Sequence, residues 1–321
     1  MDKFRKIIEQ CQELFPCDVE VRNKEPMSEH TSFKVGGPAD CWLRPHGEAF
    51  PGFCSALISR ARKEKHPVFI LGGGANIVVS DKGIRGMVLD MSAWRGQSVW
   101  ALCAENNELV LKSGTNIDEA ADIAVSEGLS GFEFLAGMPG SVGGAVWMNA
   151  RCYDKEMADI LSWAEIINFE ACASGGEPQT ERIGAGEGFG YKQSPFQKKD
   201  CLILSACLKL KPGEKNKILT EMEKNRQDRD DKGHYNFPCA GSVFKNNRDF
   251  GKPTGQIIDE LGLKGLKKGG AQVAPFHGNI IINTGKAKAS DIRKLMLEIA
   301  EKVKAAEGFC LEPELLFVGE Y

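Results

Sequence analysis

The chain interleaves apolar runs of period two with apolar stripes of period 3.6, and polar or glycine-rich breaks separate them. Phe4, Ile7, Ile8 and Leu14 share one side of a helix predicted over residues 3–15, and a second helix is predicted over roughly Phe50 to Lys65. Short apolar runs predict buried strands at Pro67–Leu71 and Gly86–Leu89, then at Ser98–Cys103 and Leu109–Ser113. Thr115 and Asp118 have the spacing of a capping box ahead of a helix bearing Ile117, Ala121, Val125 and Leu129. Strands are predicted at Trp163–Phe169 and Leu202–Leu210. The charged helix Asn216 to Lys232, entered through Lys211-Pro-Gly-Glu-Lys, marks a domain boundary. The last third reads as an α/β unit: a helix from about Pro253 to Leu261, a strand at Asn279–Asn283, and a helix N-capped by Ser290. That last helix carries Ile292, Leu295, Ile299 and Val303 on one face, and a closing strand over Leu311–Val318 bears Glu312 and Glu314.

Two stretches break this rhythm. Leu135 to Asn149, LAGMPGSVGGAVWMN, holds Gly137, Gly140, Gly143 and Gly144 between large apolar residues, so it is a glycine-rich loop anchored in a core. Gly72-Gly73-Gly74-Ala75-Asn76 runs from one apolar strand into another, Ile77-Val78-Val79. A Rossmann fingerprint needs a third glycine where Ile77 stands and a helix after it, and a P-loop needs Gly-Lys-Ser/Thr; both fail. What remains is a strand–glycine turn–strand element, able to offer bare N–H groups to a phosphate as backbone nests do. A buried tight turn is the plain alternative for the Leu135 to Asn149 stretch.

Composition narrows the class. The chain has 321 residues, 42% hydrophobic and 26% charged, with a net charge of −3, which offers no electrostatic footprint for nucleic acid. Eleven cysteines lie in apolar runs without metal spacing, so no metal is expected and the thiols read as small core groups in a reducing cytoplasm. No apolar run approaches the ~20 residues that span a bilayer, and the charged N-terminus is no signal peptide, so no membrane partner is expected.

The motifs HTSFKVGGPAD, ILGGGANIVVSDKGIRGMVL, GFEFLAGMPGSVGGAVWMNA, FGYKQSPF, AGSVFKN, DELGLKG, GGAQVAPFHGNIIIN and LEPELLFVG follow one another from about residue 26 to residue 319. In content and order they resemble the UDP-N-acetylenolpyruvoylglucosamine reductase (MurB) family, in its shorter, type II branch. The resemblance implies an α+β chain: a two-part, PCMH/vanillyl-alcohol-oxidase-like FAD-binding domain (1–90 and 91–212) followed by a smaller α/β substrate-binding domain (213–321). It implies FAD and NADPH as cofactors, a small UDP-sugar enolpyruvyl ether as substrate, a cytoplasmic monomer, and a place in peptidoglycan precursor synthesis. Another oxidoreductase on the same flavin fold, such as an oxidase, and a non-catalytic flavin or nucleotide-sugar binder are the alternatives.

Residue by residue, the resemblance implies that Gly72, Gly73, Gly74, Ala75, Asn76 and Ile77, with Gly137, Met138, Pro139, Gly140, Ser141, Gly143 and Gly144, hold the cofactor diphosphate from two sides. Ser242 matches the family's proton donor, and Glu314, with Glu312 as runner-up, its catalytic glutamate. Tyr191, Lys245, Asn246 and Gln272 match substrate contacts. Three positions depart from the family: Lys192 stands where arginine is usual, Arg151 where glycine is usual, and Asn247 where proline is usual. Lysine keeps the charge but loses the planar fork that grips a carboxylate. Arg151 is accordingly expected to supply the guanidinium beside Lys192, and His277 with Asn279 reads as a structural pair.

Overall fold

The computed structural model describes residues 2–95, 102–103, 107–186 and 188–321, and the chain divides into two compact units. Unit 1 comprises Met1–Asn23, Cys41–Gly73 and Gly86–Arg226; unit 2 comprises Lys24–Asp40, Gly74–Arg85 and Gln227–Tyr321. Helix and sheet are mixed in both, so the α+β expectation holds.

Unit 1 contains helices α1 (Asp2–Leu14), α2 (Phe50–Lys63), α3 (Ile117–Ser126), α4 (Val142–Met148) and most of α5 (Lys215–Asp231). A four-stranded sheet, mostly of this unit, has the order Asp18–Pro26, Pro38–His46, Ile84–Asp90, Val68–Leu71. A five-stranded antiparallel sheet has the order Gln179–Gly184, Leu161–Asn168, Cys201–Lys209, Glu108–Lys112, Leu102–Cys103. The strand expected over Ser98–Cys103 lies mostly outside the described residues; Leu102 and Cys103 pair with Leu109 and Glu108.

The five-stranded sheet separates two cores, and its Cys201–Lys209 strand shows how. Leu202 and Leu204 enter the core of α1 and α2, whereas Ile203 enters the core of α3 and α4. Period two would send Ala206 and Leu208 after Leu204, yet both lie with Ile203. The pairing shifts there, from Glu165 opposite Ser205 to Ile166 opposite Ile203, so one extra residue reverses the faces.

Helix α3 begins one residue later than its capping signal predicts. Asn116 is the N-cap and accepts from the Asp118 N–H at 2.9 Å, so Thr115 and Asp118 form no capping box. Leu129 falls beyond the helix, in a short strand with Ser130. The charged helix α5 buries only Ile218, Met222, Asn225 and Arg229, and is otherwise a wetted surface.

Unit 2 packs α6 (Thr254–Glu260) and α7 (Ala289–Glu307) with a three-stranded antiparallel sheet of Lys267–Lys268, Ala271–Val273 and Ile281–Asn283. The stripe Ile292, Leu295, Met296, Ile299 and Val303 joins Phe33, Val78, Val243, Phe244, Ile257 and Ile281 in one core. Helix α7 starts at Ala289 and not after Ser290. A carboxylate from far away in sequence caps it: Asp81 accepts from Ala289 N–H at 2.7 Å and from Ser290 N–H at 3.1 Å. The closing strand is shorter than expected, Leu316–Val318 only, and pairs in parallel with Ile77–Val79. Glu312 and Glu314 therefore precede the strand and do not share a strand face.

Candidate active site

In unit 1 the two glycine runs touch. The Val68–Leu71 strand ends at Gly72, where an added Cβ would stand 2.8 Å from Ser141 Oγ; at Gly73 it would stand 2.5 Å from Gly140 Cα and 3.0 Å from Ser141 N. No side chain fits between two backbones at that spacing, which explains the sequence there. Among the described residues, nothing accepts from the N–H groups of Gly72, Gly73, Gly140 or Ser141. Two bare backbones with free donors side by side match the chemistry of a diphosphate.

The second run is more ordered than a loop. After Pro139 and Gly140, Ser141 caps α4 by accepting from Gly144 N–H at 3.3 Å. Gly143 donates to Ser113 O at 2.8 Å, and Met138 to Leu135 O at 2.9 Å. Gly137 donates to Asp118 Oδ1 at 2.9 Å, the same oxygen that receives Arg226 Nη2 at 2.9 Å. Asp118 thus ties the loop to α5, a role its position in the sequence did not disclose. Helix α4 ends on Asn149, fully buried, with a left-handed φ of 45°.

The end of α4 adjoins the Tyr191–Lys192 turn. Gly190 and Gln193 exchange backbone hydrogen bonds of 3.1 and 3.0 Å, leaving Tyr191 and Lys192 at the tip. The Arg151 guanidinium lies 5.7 Å from the centre of the Tyr191 ring, within reach of a cation–π contact, and 3.8 Å from Glu156. The structure therefore brings Arg151, Tyr191 and Lys192 into one neighbourhood of unit 1.

Unit 2 assembles the remaining candidates. Gly74, left-handed at φ 63°, accepts on its carbonyl from Ser32 N–H at 3.1 Å; among the described residues, nothing accepts from the N–H groups of Gly74 and Ala75. The segment from Ser242 to Lys245 lies beside that from Leu311 to Glu314: Glu314 N–H donates to Val243 O at 2.9 Å and Lys245 N–H to Glu312 O at 2.9 Å. Glu314 therefore pairs with Val243, the residue after Ser242. Asn76 Nδ2 donates to Glu314 O at 3.1 Å, within the same unit. Glu312 accepts from Lys245 Nζ at 2.5 Å with most of its side chain in solvent. Ser242 Oγ has no hydrogen-bond partner among the described residues.

Other candidates have structural partners. Asn246 Oδ1 accepts from Thr254 N–H at 2.9 Å at the start of α6, and Gln272, on the Ala271–Val273 strand, donates to Gly265 O at 3.3 Å. Asn247 Oδ1 accepts from Asp249 N–H, so this position starts a short 3₁₀ turn. His277 Nδ1 accepts from Asn279 N–H at 3.1 Å, and the Asn279 side chain pairs with both backbone groups of Phe244. Burial lowers the His277 pKa.

A family model for an FAD binding domain matches residues 53–170, the stretch that holds both glycine runs, and places the chain among the flavin-dependent oxidoreductases. The model for the C-terminal domain of UDP-N-acetylenolpyruvoylglucosamine reductase matches residues 233–318. The chain belongs to the UDP-N-acetylenolpyruvoylglucosamine reductase family. It is 41% identical over 309 residues to the reductase of Treponema denticola, covering 92% of this chain and 93% of that one. It is also 41% identical over 292 residues to that of Borrelia garinii, covering 90% of each. The crystal structure of the Thermus caldophilus enzyme superimposes with a TM-score of 0.75 at 30% identity, covering 94% of this chain and all of the other.

Proposed function

We propose that this chain reduces the enolpyruvyl ether of UDP-N-acetylglucosamine-enolpyruvate to UDP-N-acetylmuramate at the expense of NADPH, a step of peptidoglycan precursor synthesis. The observation that carries this reading is the contact of Gly72 and Gly73 with Gly140 and Ser141, whose open N–H groups suit the FAD diphosphate. When bound, FAD supplies the hydride transfer from NADPH to the ether. Gly74, Ala75, Asn76 and Ile77 extend the first run, while Gly137, Met138, Pro139, Gly143 and Gly144 shape the second. Residues 1–90 and 91–212 are the two parts of the FAD-binding domain, and 213–321 the substrate domain. The enzyme works as a cytoplasmic monomer.

Hydride addition to the terminal carbon leaves negative charge on the neighbouring carbon and its carboxylate, so the protein must supply a proton and a cation. Ser242 gives the proton; an alkyl hydroxyl is a weak acid, and the role depends on close placement. Glu314 tunes the developing charge, with Glu312 as the alternative in this role. Lys192 binds the substrate carboxylate, with Arg151 furnishing the planar guanidinium that Lys192 lacks. Tyr191, Lys245, Asn246 and Gln272 contact the rest of the substrate.

Anaerobic mixing with NADPH tests the reading. The yellow protein should bleach, and recolour only when the enolpyruvyl sugar nucleotide is added. A protein that takes up no FAD sinks it, and so does one that recolours as fast with oxygen. Arg151→Ala should lower the recolouring rate about tenfold; a loss under about threefold, less than ~1 kcal/mol, would remove Arg151 from the site.

A further inference from the structure

Lys192 has φ +57°, in the left-handed region that a residue with a Cβ seldom enters, and it sits at the tip of a tight turn where glycine or asparagine is the easy choice. Something outside the turn must hold it there. Two side-chain amides do. Gln197 Nε2 donates to Lys192 O at 3.1 Å and to Trp147 O at 3.1 Å, so one carboxamide fastens the turn to the last turn of α4. Asn149 Nδ2 donates to Gly190 O at 2.9 Å, while its Oδ1 accepts from Ala158 N–H at 2.9 Å. Both carbonyls that bracket Tyr191 and Lys192 are thereby pinned to the C-terminal end of a helix whose other end, Ser141, adjoins the glycine cradle.

Resting on the reading of Lys192 as the substrate-carboxylate cation, we propose that Gln197, seconded by Asn149, is a positioning residue that fixes the left-handed turn and sets the Lys192 ammonium in register with the cofactor cradle through α4. The backbone conformation at residue 192 decides the direction in which its side chain leaves the turn. Releasing Lys192 O lets the chain relax to negative φ and turns that side chain away. Neither Gln197 nor Asn149 touches the reacting atoms in this scheme.

The test uses the FAD-loaded enzyme in a cycle of wild type, Gln197→Leu, Lys192→Ala and the double variant. Three readouts are taken: FAD retention with the rate of bleaching by NADPH, substrate affinity from the flavin absorbance change, and the anaerobic recolouring rate. Gln197→Leu should weaken substrate binding and recolouring about tenfold together while bleaching and FAD retention stay within about twofold. In the Lys192→Ala background the same substitution should change them less than about twofold, because its effect runs through Lys192. Gln197→Ala takes the place of the leucine variant if that one does not fold. A wild-type-like Gln197→Leu enzyme beside an impaired Lys192→Ala enzyme overturns the positioning role alone, and so does an equal loss in both backgrounds or a loss of FAD. A Lys192→Ala enzyme that binds and recolours normally overturns the carboxylate reading itself.

Discussion

The two glycine runs are alike in composition and unlike in construction. Gly72 to Asn76 is a bare turn between strands, with N–H groups at Gly72 to Ala75 that meet no acceptor among the described residues. Gly137 to Gly144 is capped and hydrogen-bonded: Asp118, Leu135, Ser113 and Ser141 receive four of its N–H groups, and its second half coils into α4. The first run lacks side chains so that another backbone can approach. The second contains glycines of several kinds, and geometry tells them apart.

The largest expected effect tests the contact between the runs. Gly73→Ala places a Cβ 2.5 Å from Gly140 Cα, a backbone atom that cannot rotate aside, so the runs must part. FAD affinity measured by titration of the apoprotein should fall more than about 100-fold, ~3 kcal/mol. Retention of normal affinity would break the idea that the contact builds the cradle. Gly143→Ala separates packing from cofactor binding. Its Cβ would meet Ser113 Cβ at 2.7 Å, inside the protein, so the variant should lose ~1–3 kcal/mol of stability by thermal or denaturant unfolding, with or without FAD.

Gly144→Ala should have the smallest and most telling effect. Gly144 is exposed, helical, and an added Cβ there would meet only Ser141 Oγ, at an ordinary 3.4 Å. Alanine in a helix is worth up to ~1 kcal/mol over glycine, so the apoprotein should unfold slightly higher. Among the described residues nothing requires glycine at that position, which leaves the missing Cβ to serve the proposed cofactor. FAD affinity should accordingly drop about threefold to tenfold despite the added stability. A variant that is more stable and binds FAD fully would place the cofactor away from Gly144.

Much of this was legible in the chain. The periodic stretches became helices and strands nearly where predicted, because amphipathic patterns of period 3.6 and two have few other ways to bury their apolar atoms. The two glycine runs stood out because glycine clusters amid large apolar residues are rarely decoration. Helix starts were less readable. Asn116 displaced Thr115 as a cap, and Asp81 reached α7 across more than two hundred residues of sequence, since an N–H group donates to any well-placed oxygen, local or distant. The strand at the end was overextended because the carboxylates of LEPEL alternate as strand residues do, while only Leu316–Val318 finds a partner.

The sequence by itself determined which residue types stand where: the Cβ-free runs, the serine and glutamates of the C-terminal motifs, and the exchange of arginine for lysine at 192 with an arginine at 151. Tertiary structure alone decided which of them meet. It set Gly73 against Gly140, Glu314 against Val243, Glu312 onto Lys245, and the amides of Gln197 and Asn149 onto the turn of Lys192. The physical reason is range: periodicity and backbone freedom are properties of neighbours in the chain, whereas a hydrogen bond or a close approach depends on segments that only folding makes neighbours.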